Sequence, residues 1–179
     1  MSQAAEPRER SSPLKDTIYK QLSKMEAIQE ANRCLYCYDA PCTKACPTHI
    51  DVPTFIRKIS TENLLGSARV IMEANPIGAS CARVCPTEQL CEGACVLGKD
   101  TSPIRIGDLQ RYATDFIREQ EIDLFTPGTP TGRTVAIIGG GPAGLAAARE
   151  LARMGHEVTI YEAKEQLDFH AAGAAPAEG

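Results

Sequence analysis

The chain has 179 residues, of which 43% are hydrophobic and 23% are charged, and its formal net charge is −4. This composition is typical of a soluble globular protein with one or two small domains, and the Lys and Arg residues are too scattered for a nucleic-acid-binding surface. The N-terminus lacks the apolar segment of a signal peptide, and the longest apolar stretch is broken by glycines. We therefore expect a cytoplasmic protein with no membrane partner.

The N-terminal part of the sequence predicts an all-helical domain over residues 13–124, preceded by a disordered tail at residues 1–12. Asp51 is placed to cap one helix, and Asn63 to cap a second helix that ends before Pro76. An amphipathic helix is predicted by apolar residues at every third or fourth position: Leu14, Ile18, Leu22, Met25 and Ile28. A buried helix face is predicted by the same kind of spacing at Leu109, Tyr112, Ala113, Phe116 and Ile117.

The pattern changes after a Pro- and Gly-rich linker at residues 125–133. RTVAIIGGG predicts a buried strand, the Ala- and Leu-rich segment from Leu145 to Met154 predicts a helix that stops at Gly155, and EVTIYE predicts a second strand. Residues 134–165 therefore predict a βαβ unit, and one such unit cannot cover both faces of its strands. The tail at residues 166–179 is Ala-rich and has no periodic pattern.

All eight cysteines lie in two short motifs, C-x2-C-x4-C-x3-C-P from Cys34 and C-x3-C-P-x4-C-x3-C from Cys81. Thiols stay reduced in the cytoplasm, so this density indicates metal or redox chemistry rather than disulfides. Zinc sites pair two short hooks across a longer gap, whereas the first motif is one tight loop that closes on Cys-Pro, as in bacterial ferredoxins. The spacing favours iron–sulfur clusters; the alternative is a zinc-binding helical module without enzyme activity.

Eight thiolates divide into two [4Fe-4S] sites, and we expect the two motifs to interleave, because the cysteine before the proline points past the cluster that its own loop surrounds. The first site then takes ligands from both motifs: Cys34, Cys37, Cys42 and Cys95. The second site takes Cys46, Cys85 and Cys91. On a count of eight thiolates, Cys81 is the fourth ligand of the second site.

A glycine-rich turn follows the first predicted strand and opens the next helix. It has the spacing G-x-G-x-x-G, and an acidic residue follows 23 residues after the first glycine, which together form the dinucleotide-binding fingerprint. Gly139 allows the tight turn, Gly141 lets the backbone approach a pyrophosphate, and Gly144 lets helix and strand pack closely. The predicted cofactor-binding residues are Gly139, Gly141, Pro142, Ala143, Gly144 and Glu162.

Three runs carry a resemblance to a known family: CLYCYDAPCTKACPTHIDVPTFI, CARVCPTEQLCEGAC and IRIGDLQRYATDF. They resemble the N-terminal iron–sulfur domain of dihydropyrimidine dehydrogenases, above all the flavoprotein subunit of the bacterial NAD-dependent enzyme. They are similar, more distantly, to the small subunit of glutamate synthase. The resemblance covers residues 25–165 and includes both cysteine motifs, their separation and the helix that follows.

The resemblance implies a different fourth ligand for the second cluster. In the dihydropyrimidine branch this ligand is a glutamine, which matches Gln110, and the cysteine that matches Cys81 is a small buried residue without a ligand role. The fourth ligand is therefore Cys81 by the count of thiolates and Gln110 by the resemblance, and we expect Gln110. An uncharged ligand in place of a thiolate removes one negative charge and raises the reduction potential.

The predicted fold is mostly α: an all-helical two-cluster iron–sulfur domain followed by an incomplete Rossmann-type βαβ unit. The resemblance implies FAD at the glycine-rich turn and electron transfer between NAD(P)H and pyrimidine reduction, with a pyrimidine-reducing FMN/iron–sulfur subunit or the rest of the flavoprotein as partner. The alternative within this superfamily is a glutamate synthase small subunit-like NADPH oxidoreductase module. Because AKEQLDFHAAGAAPAEG departs from the family after Glu162, we expect a fragment that binds FAD only when the flavin domain is completed.

Overall fold

The computed structural model of the protein describes residues 21–164, whose regular secondary structure is mostly helical. The helices are α1 (Lys24–Asn32), α2 (Pro41–Ala45), α3 (Val52–Ser60), α4 (Leu64–Ala74), α5 (Gly78–Val84), α6 (Ile106–Glu119) and α7 (Pro142–Arg153), with a 3₁₀ turn at Val96–Lys99. The strands are β1 (Thr134–Ile138) and β2 (Glu157–Tyr161). The tails predicted at residues 1–12 and 166–179, and the predicted helical positions Leu14 and Ile18, lie outside the described residues.

Two helix starts follow the capping residues that the sequence predicts. The Asp51 carboxylate accepts a hydrogen bond from the Thr54 amide at 3.1 Å and starts α3, and the Asn63 side chain accepts one from the Gly66 amide at 2.8 Å and starts α4. These bonds satisfy amides that the first helical turn leaves without a backbone partner. Both predicted caps are confirmed.

The prediction of one helix that runs through Leu22 to Ile28 is wrong, because α1 begins only at Lys24, after the N-cap residue Ser23. Ser23 is extended, and it forms a capping box with Glu26 in which each side chain accepts a hydrogen bond from the other residue's amide. The helix that begins there buries Ala27 and Ala31, whereas Met25 is 63% exposed. Small alanines, and not the predicted methionine, face the core because they let α1 approach α3 closely.

The core lies where α1, α3, α4 and α6 pack together. The largest fully buried apolar side chains are Phe55, Ile50, Ile56, Ile59, Ile71, Ile104, Ile106 and Leu109. Each contributes about 1.5–3 kcal/mol through burial of apolar surface. The predicted face of α6 is confirmed, since Leu109, Ala113 and Ile117 are buried and Tyr112 and Phe116 are partly buried.

Strands β1 and β2 pair in parallel, with Val135 opposite Val158, and α7 connects them. Every residue of both strands is exposed or only partly buried, and Ile138 is 91% exposed. The prediction that β1 is buried is therefore wrong for the described chain, because α7 is the helix packed against these strands and covers one face. Within the described residues, no helix has the length and apolar character needed to cross a membrane.

The Phe125 side chain joins the helical part to α7. Its ring is stacked by the guanidinium groups of Arg149 and Arg153, whose central carbons lie 4.0 and 4.4 Å from the ring centroid, and Arg69 of α4 lies 5.4 Å away. Arg153 also forms a salt bridge of 2.8 Å with Glu73 of α4. These contacts tie α4 and α7 together through side chains of both.

Candidate functional site

Four thiols converge on one apolar cavity. Its walls include Ile56, Ile104 and Ile106, and the thiols that line it are Cys34, Cys37, Cys42 and Cys95. Cys34 and Cys37 lie in the loop between α1 and α2, and Cys42 lies in α2. Cys95 comes from the second motif, directly before the 3₁₀ turn. The structure therefore brings together the four residues that the crossed arrangement predicts for the first site.

The loop around the first thiol group bends sharply. Tyr36 and Ala40 have φ values of 51° and 38°, in the left-handed region that side chains with a Cβ atom rarely adopt. Such residues cost on the order of 1–3 kcal/mol each and persist where surrounding structure holds them, often at functional sites. Here the bends turn the sulfurs of Cys34, Cys37 and Cys42 toward one cavity.

Without a positive group nearby, this cavity disfavours the negatively charged thiolate form of its cysteines. Burial raises the pKa of Cys42 to about 11 and also raises that of Cys34, and the charge of Cys95 acts in the same direction on both. Backbone N–H groups work against this effect on the pKa: that of Tyr36 donates to Cys34, and that of Thr43 donates to Cys42. The Ile104 amide donates a hydrogen bond of 3.5 Å to the Cys95 sulfur. The site is thus prepared for thiolates that a positive group stabilises.

A second group of thiols lies between α2, α5 and the following loop. Burial raises the pKa of Cys91 to about 12, and the charges of Glu92 and Cys46 act in the same direction. The pKa of Cys85 is raised to about 11, and burial is the largest cause. The charge of Cys81, a hydrogen bond with Cys81 and the charge of Cys46 are smaller causes that act in the same direction. Cys46 belongs to the first motif, and its charge acts on Cys85 and Cys91 of the second motif, the two residues with which the crossed arrangement predicts that it shares a site.

Cys81 lies in α5 and is partly exposed, unlike the buried position that the sequence predicts for it. Its sulfur accepts a hydrogen bond of 3.1 Å from the Asn75 side-chain amide. Asn75 is 3% exposed, and its side-chain oxygen accepts a hydrogen bond of 3.1 Å from the Ile77 amide. Sequence reasoning missed Asn75, since an Asn before Pro predicts a helix end and carries no sign of a sulfur contact.

Gln110 is 8% exposed and lies in the second turn of α6. Its Nε2 atom donates to the Gly78 carbonyl oxygen at 2.7 Å, at the first residue of α5. A Cβ atom on Gly78 would lie 2.6 Å from the Ile71 side chain and 3.7 Å from that Nε2, so a glycine is needed for this close approach. The bond holds the side-chain amide against the helix that carries Cys81 and precedes Cys85, with its oxygen as the atom suited to ligation.

A buried ionic cluster, which the sequence did not reveal, holds α5 on α6. The Asp115 carboxylate, 2% exposed, contacts Arg83 at 2.5 Å, Arg111 at 3.3 Å and Arg118 at 3.2 Å. Arg83 lies between Cys81 and Cys85 and also donates to the Ala79 carbonyl oxygen at 2.8 Å. Arg111 and Asp115 have the i,i+4 spacing of a helix pair, and Asp115 and Arg118 have the i,i+3 spacing, and these are signals that sequence reasoning could have used.

Glu92, next to Cys91 in the sequence, accepts a hydrogen bond from the first turn of α6, 15 residues further along the chain. Its Oε1 atom accepts a hydrogen bond of 2.9 Å from the Gly107 amide, while Arg105, at the N-cap position, makes no side-chain capping bond. Burial raises the pKa of Glu92 above its ordinary range. The carboxylate thus connects the second cysteine motif to the helix that carries Gln110.

The donor set of the first cavity fits an iron–sulfur cluster. Within residues 21–164, no three His, Cys, Asp or Glu side chains lie close enough together to share a single metal ion. A [4Fe-4S] cluster distributes four ligands over four iron atoms, and it is held by soft thiolates with N–H donors aimed at the sulfurs. The thiols, apolar walls and amide donors of the first cavity meet these requirements.

The glycine-rich turn has the geometry that its three glycines require. Gly139 has a φ of +99°, and a Cβ atom on Gly144 would lie 2.0 Å from the Gly139 carbonyl oxygen, so neither tolerates a larger residue without a shift. A Cβ atom on Gly141 would meet nothing within 4 Å, which is open space at the N-cap of α7. Pro142 is the first residue of α7, three residues before the predicted Leu145, and its fixed φ suits that position.

Glu162 lies at the end of β2 beside this turn. Its carboxylate accepts hydrogen bonds from the Gly140 amide at 2.7 Å and from the Lys164 amide at 3.1 Å. The exposed Ala143 lies in the first turn of α7. The structure therefore brings the predicted acid and the predicted loop into contact, although they are far apart in sequence.

Two family models match the chain. Residues 11–122 match the family described as dihydropyrimidine dehydrogenase domain II, 4Fe-4S cluster, and residues 134–177 match the family described as FAD dependent oxidoreductase. The first match contains both cysteine motifs and Gln110, and the second contains the glycine-rich turn and Glu162.

Curated relatives give the same relationship. The chain is 49% identical over 147 residues to the NAD-dependent dihydropyrimidine dehydrogenase subunit PreT of Escherichia coli K12, and 47% identical over 151 residues to the protein of that name in Salmonella typhimurium LT2. These alignments cover 82% and 84% of this chain, but 36% and 37% of the relatives. The chain therefore spans a little more than a third of the length of these relatives.

Proposed function

This chain belongs to the dihydropyrimidine dehydrogenase domain II, 4Fe-4S cluster family, and from that membership we propose that it is the electron-transfer module of an NAD(P)H-dependent oxidoreductase. The relatives' name supports pyrimidine reduction, of uracil or thymine, as the reaction that the module serves. When bound, iron–sulfur clusters pass single electrons, whereas a flavin exchanges both electron pairs and single electrons. A module with both groups connects a nicotinamide to a distant reaction site.

The observation that carries the proposal is the convergence of four thiols from both cysteine motifs, those of Cys34, Cys37, Cys42 and Cys95, on one apolar cavity. The charge of Cys95 acts on Cys34 and Cys42, while the charge of Cys46 acts on Cys85 and Cys91. We assign two [4Fe-4S] clusters on this basis. The ligands of the first are Cys34, Cys37, Cys42 and Cys95, and those of the second are Cys46, Cys85, Cys91 and Gln110.

Gln110 is proposed as the fourth ligand of the second cluster because its amide is already oriented. The Nε2 atom donates to the Gly78 carbonyl oxygen, and this supports the side-chain oxygen as the atom that we propose for iron ligation. An amide oxygen carries no formal charge, so a cluster with three thiolates and Gln110 has a higher reduction potential than one with four thiolates.

The turn from Gly139 to Gly144 is proposed as the adenine-nucleotide half of an FAD site in a Rossmann-type unit. The open space at Gly141 and the N-terminus of α7 support a pyrophosphate there, and Glu162 is the acceptor for a ribose hydroxyl. The partners that we propose are the remaining part of the flavoprotein, which lies beyond the third of the relatives that this chain spans, and a pyrimidine-reducing FMN/iron–sulfur subunit.

Metal and sulfide analysis of the anaerobically purified chain tests this proposal. Two [4Fe-4S] clusters require about eight iron and about eight acid-labile sulfide per chain. About two zinc and no sulfide would overturn the proposal in favour of a structural zinc module. Cys95→Ser and Cys46→Ser test the crossing: each is expected to remove a cluster centred on the opposite motif, as resolved by the two electron paramagnetic resonance signals of the reduced protein.

A further inference from the structure

We propose that the salt bridge between Glu30 and Arg33, at the C-terminal end of α1, positions a hydrogen-bond donor for the first cluster. The pair holds the loop at residues 102–105, and this loop keeps the Ile104 amide directed at the Cys95 sulfur, where it raises the reduction potential of the cluster. The inference rests on the proposed function, since it takes Cys95 as a ligand of that cluster.

The Ile104 amide lies against the first cavity. Its nitrogen donates a hydrogen bond of 3.5 Å to the Cys95 sulfur, and both residues line the cavity. Ile104 is 2% exposed, so water does not replace this donor. The residue before it is Pro103, which has no amide hydrogen, and the contact to the sulfur therefore depends on the orientation of one peptide group.

Hydrogen bonds to the end of α1 hold the loop on both sides of Ile104. Before it, the Arg33 Nη2 atom donates to the Ser102 carbonyl oxygen at 2.6 Å and to the Ser102 hydroxyl oxygen at 3.1 Å. After it, the Arg105 amide donates to the Glu30 Oε1 atom at 3.0 Å. The Ile104 amide thus lies between two points that are tied to the same helix end.

One salt bridge joins these two anchors. The Arg33 Nη1 atom lies 2.7 Å from the Glu30 Oε1 atom, which is the same oxygen that accepts from the Arg105 amide. The planar guanidinium donates to Glu30 and to Ser102 at once, and the compact ammonium group of a lysine does not reproduce this forked geometry. The side chains of Glu30 and Arg33 are 13% and 35% exposed, so both are partly shielded from water. The clamp therefore requires an arginine at this position and not only a positive charge.

The clamp makes the reduction potential of the first cluster depend on residues that are not ligands. A donor to a ligating sulfur stabilises the more negative, reduced form of a cluster, and hydrogen bonds to the sulfurs are among the factors that set cluster potentials. Loss of the clamp is thus expected to make the first cluster harder to reduce while its iron remains bound. A direct effect of charge has the opposite sign for Glu30, because removal of a negative charge by itself makes reduction easier.

The test compares variants of the 179-residue chain, purified anaerobically, by iron and sulfide content and by the potentials of both clusters, from a titration followed by electron paramagnetic resonance. The first cluster is identified by the signal that Cys95→Ser removes. Arg33→Lys keeps the charge and is expected to shift the first potential downward at full iron content, with the second potential unchanged. Glu30→Ala is expected to shift it in the same direction, and Glu30→Gln, which keeps an oxygen acceptor for the Arg105 amide, is expected to recover part of the shift.

Arg105→Lys is the matched control, with no change in either potential expected. The Arg105 side chain pairs with Asp108 at 2.6 Å, and only the backbone amide of Arg105 belongs to the clamp. Amide hydrogen exchange of the same variants measures the loop directly. Exchange at Ile104 is expected to be about tenfold faster in Arg33→Lys and Glu30→Ala than in the parent, because each change removes a hydrogen bond to a charged group, and to keep the parent rate in Arg105→Lys.

Full iron with an unchanged first potential in both Arg33→Lys and Glu30→Ala would overturn the inference and leave the proposed function intact. An upward shift in Glu30→Ala would also overturn it, because the charge of Glu30 would then act on the cluster directly. Parent rates of exchange at Ile104 in both variants would show that the pair does not hold the loop. A parent chain without iron or sulfide would instead overturn the proposed function.

Discussion

Replacement of Asp115 by Asn keeps the size of a side chain that is 2% exposed and removes the negative charge that three arginines share. Two of these arginines, Arg83 and Arg111, have side chains only 12% and 13% exposed, so water does not replace the lost partner. Removal of one partner from a buried ion pair costs about 3–5 kcal/mol. We expect Asp115→Asn to lower the stability of the chain by that amount.

The magnitude is large relative to total stability, which is roughly 5–15 kcal/mol for a folded domain. At about 2–4 °C per kcal/mol for a chain of this size, the expected decrease in Tm is roughly 6–20 °C. Because Arg83 lies between Cys81 and Cys85, the loosened α5 is also expected to release the second cluster before the first.

The assay is urea or thermal unfolding of the loaded chain, with iron content measured after mild heating. Asp108→Asn is the matched control on the same helix: Asp108 pairs with Arg105 at 2.6 Å, but these side chains are 37% and 52% exposed. Exposed pairs of this kind contribute about 0.2–1 kcal/mol. If Asp115→Asn costs no more than Asp108→Asn, the reasoning from burial is refuted.

Three further predictions use other parts of the structure. Gly141→Ala should leave the circular dichroism spectrum and Tm unchanged and reduce FAD binding in the completed flavoprotein at least tenfold. Gly144→Ala should disturb the fold as well as FAD binding, because its Cβ atom would overlap the Gly139 carbonyl oxygen. Equal behaviour of the two variants would contradict the assignment of this turn to FAD. In the metal-free, reduced chain, the pKa values of Cys42 and Cys91, about 11 and about 12, lie above the ordinary value of 9.0, so the fold is favoured at low pH and loses stability as the pH rises from 9 toward 12. The free energy of unfolding should therefore fall between about pH 7.5 and about pH 10.5, by on the order of 1 kcal/mol per thiol after allowance for solvent screening. The urea midpoint should fall with it, and a constant midpoint would contradict this. Phe125→Leu keeps an apolar side chain but removes the stacked ring, and it should cost about 1–2 kcal/mol and increase proteolysis near residues 125–133, with no change in iron content; an unchanged cleavage rate would count against the contact between α4 and α7.

Local patterns in the sequence were sufficient for most of the helices. The caps at Asp51 and Asn63 and the buried face of α6 are confirmed, because capping and helical periodicity depend on residues within one or two turns of each other. The start of α1 was missed although its signal is also local: Ser23 and Glu26 form the capping box, but the apolar stripe across them was read as one helix. The capping box at Ser23, and not the apolar periodicity that runs across it, determines where α1 begins.

Burial of the strands could not be predicted from the apolar run alone. VAIIGG is typical of a strand covered on both faces, but in the described chain Ile138 is 91% exposed because α7 covers one side. Which layers surround a strand depends on elements elsewhere in the fold.

The sequence by itself determined the chemistry of the two halves: dense thiols suited to iron–sulfur clusters, and a glycine-rich turn with an acid at the end of the next strand. Both conclusions depend on spacing along the chain. The tertiary structure decided which groups meet across long separations, such as Gln110 with Gly78, Asn75 with Cys81, and Asp115 with Arg83. Such contacts arise from the packing of α4, α5 and α6 around a shared core, and no local pattern encodes them because each partner is a common residue whose neighbour is set by the fold.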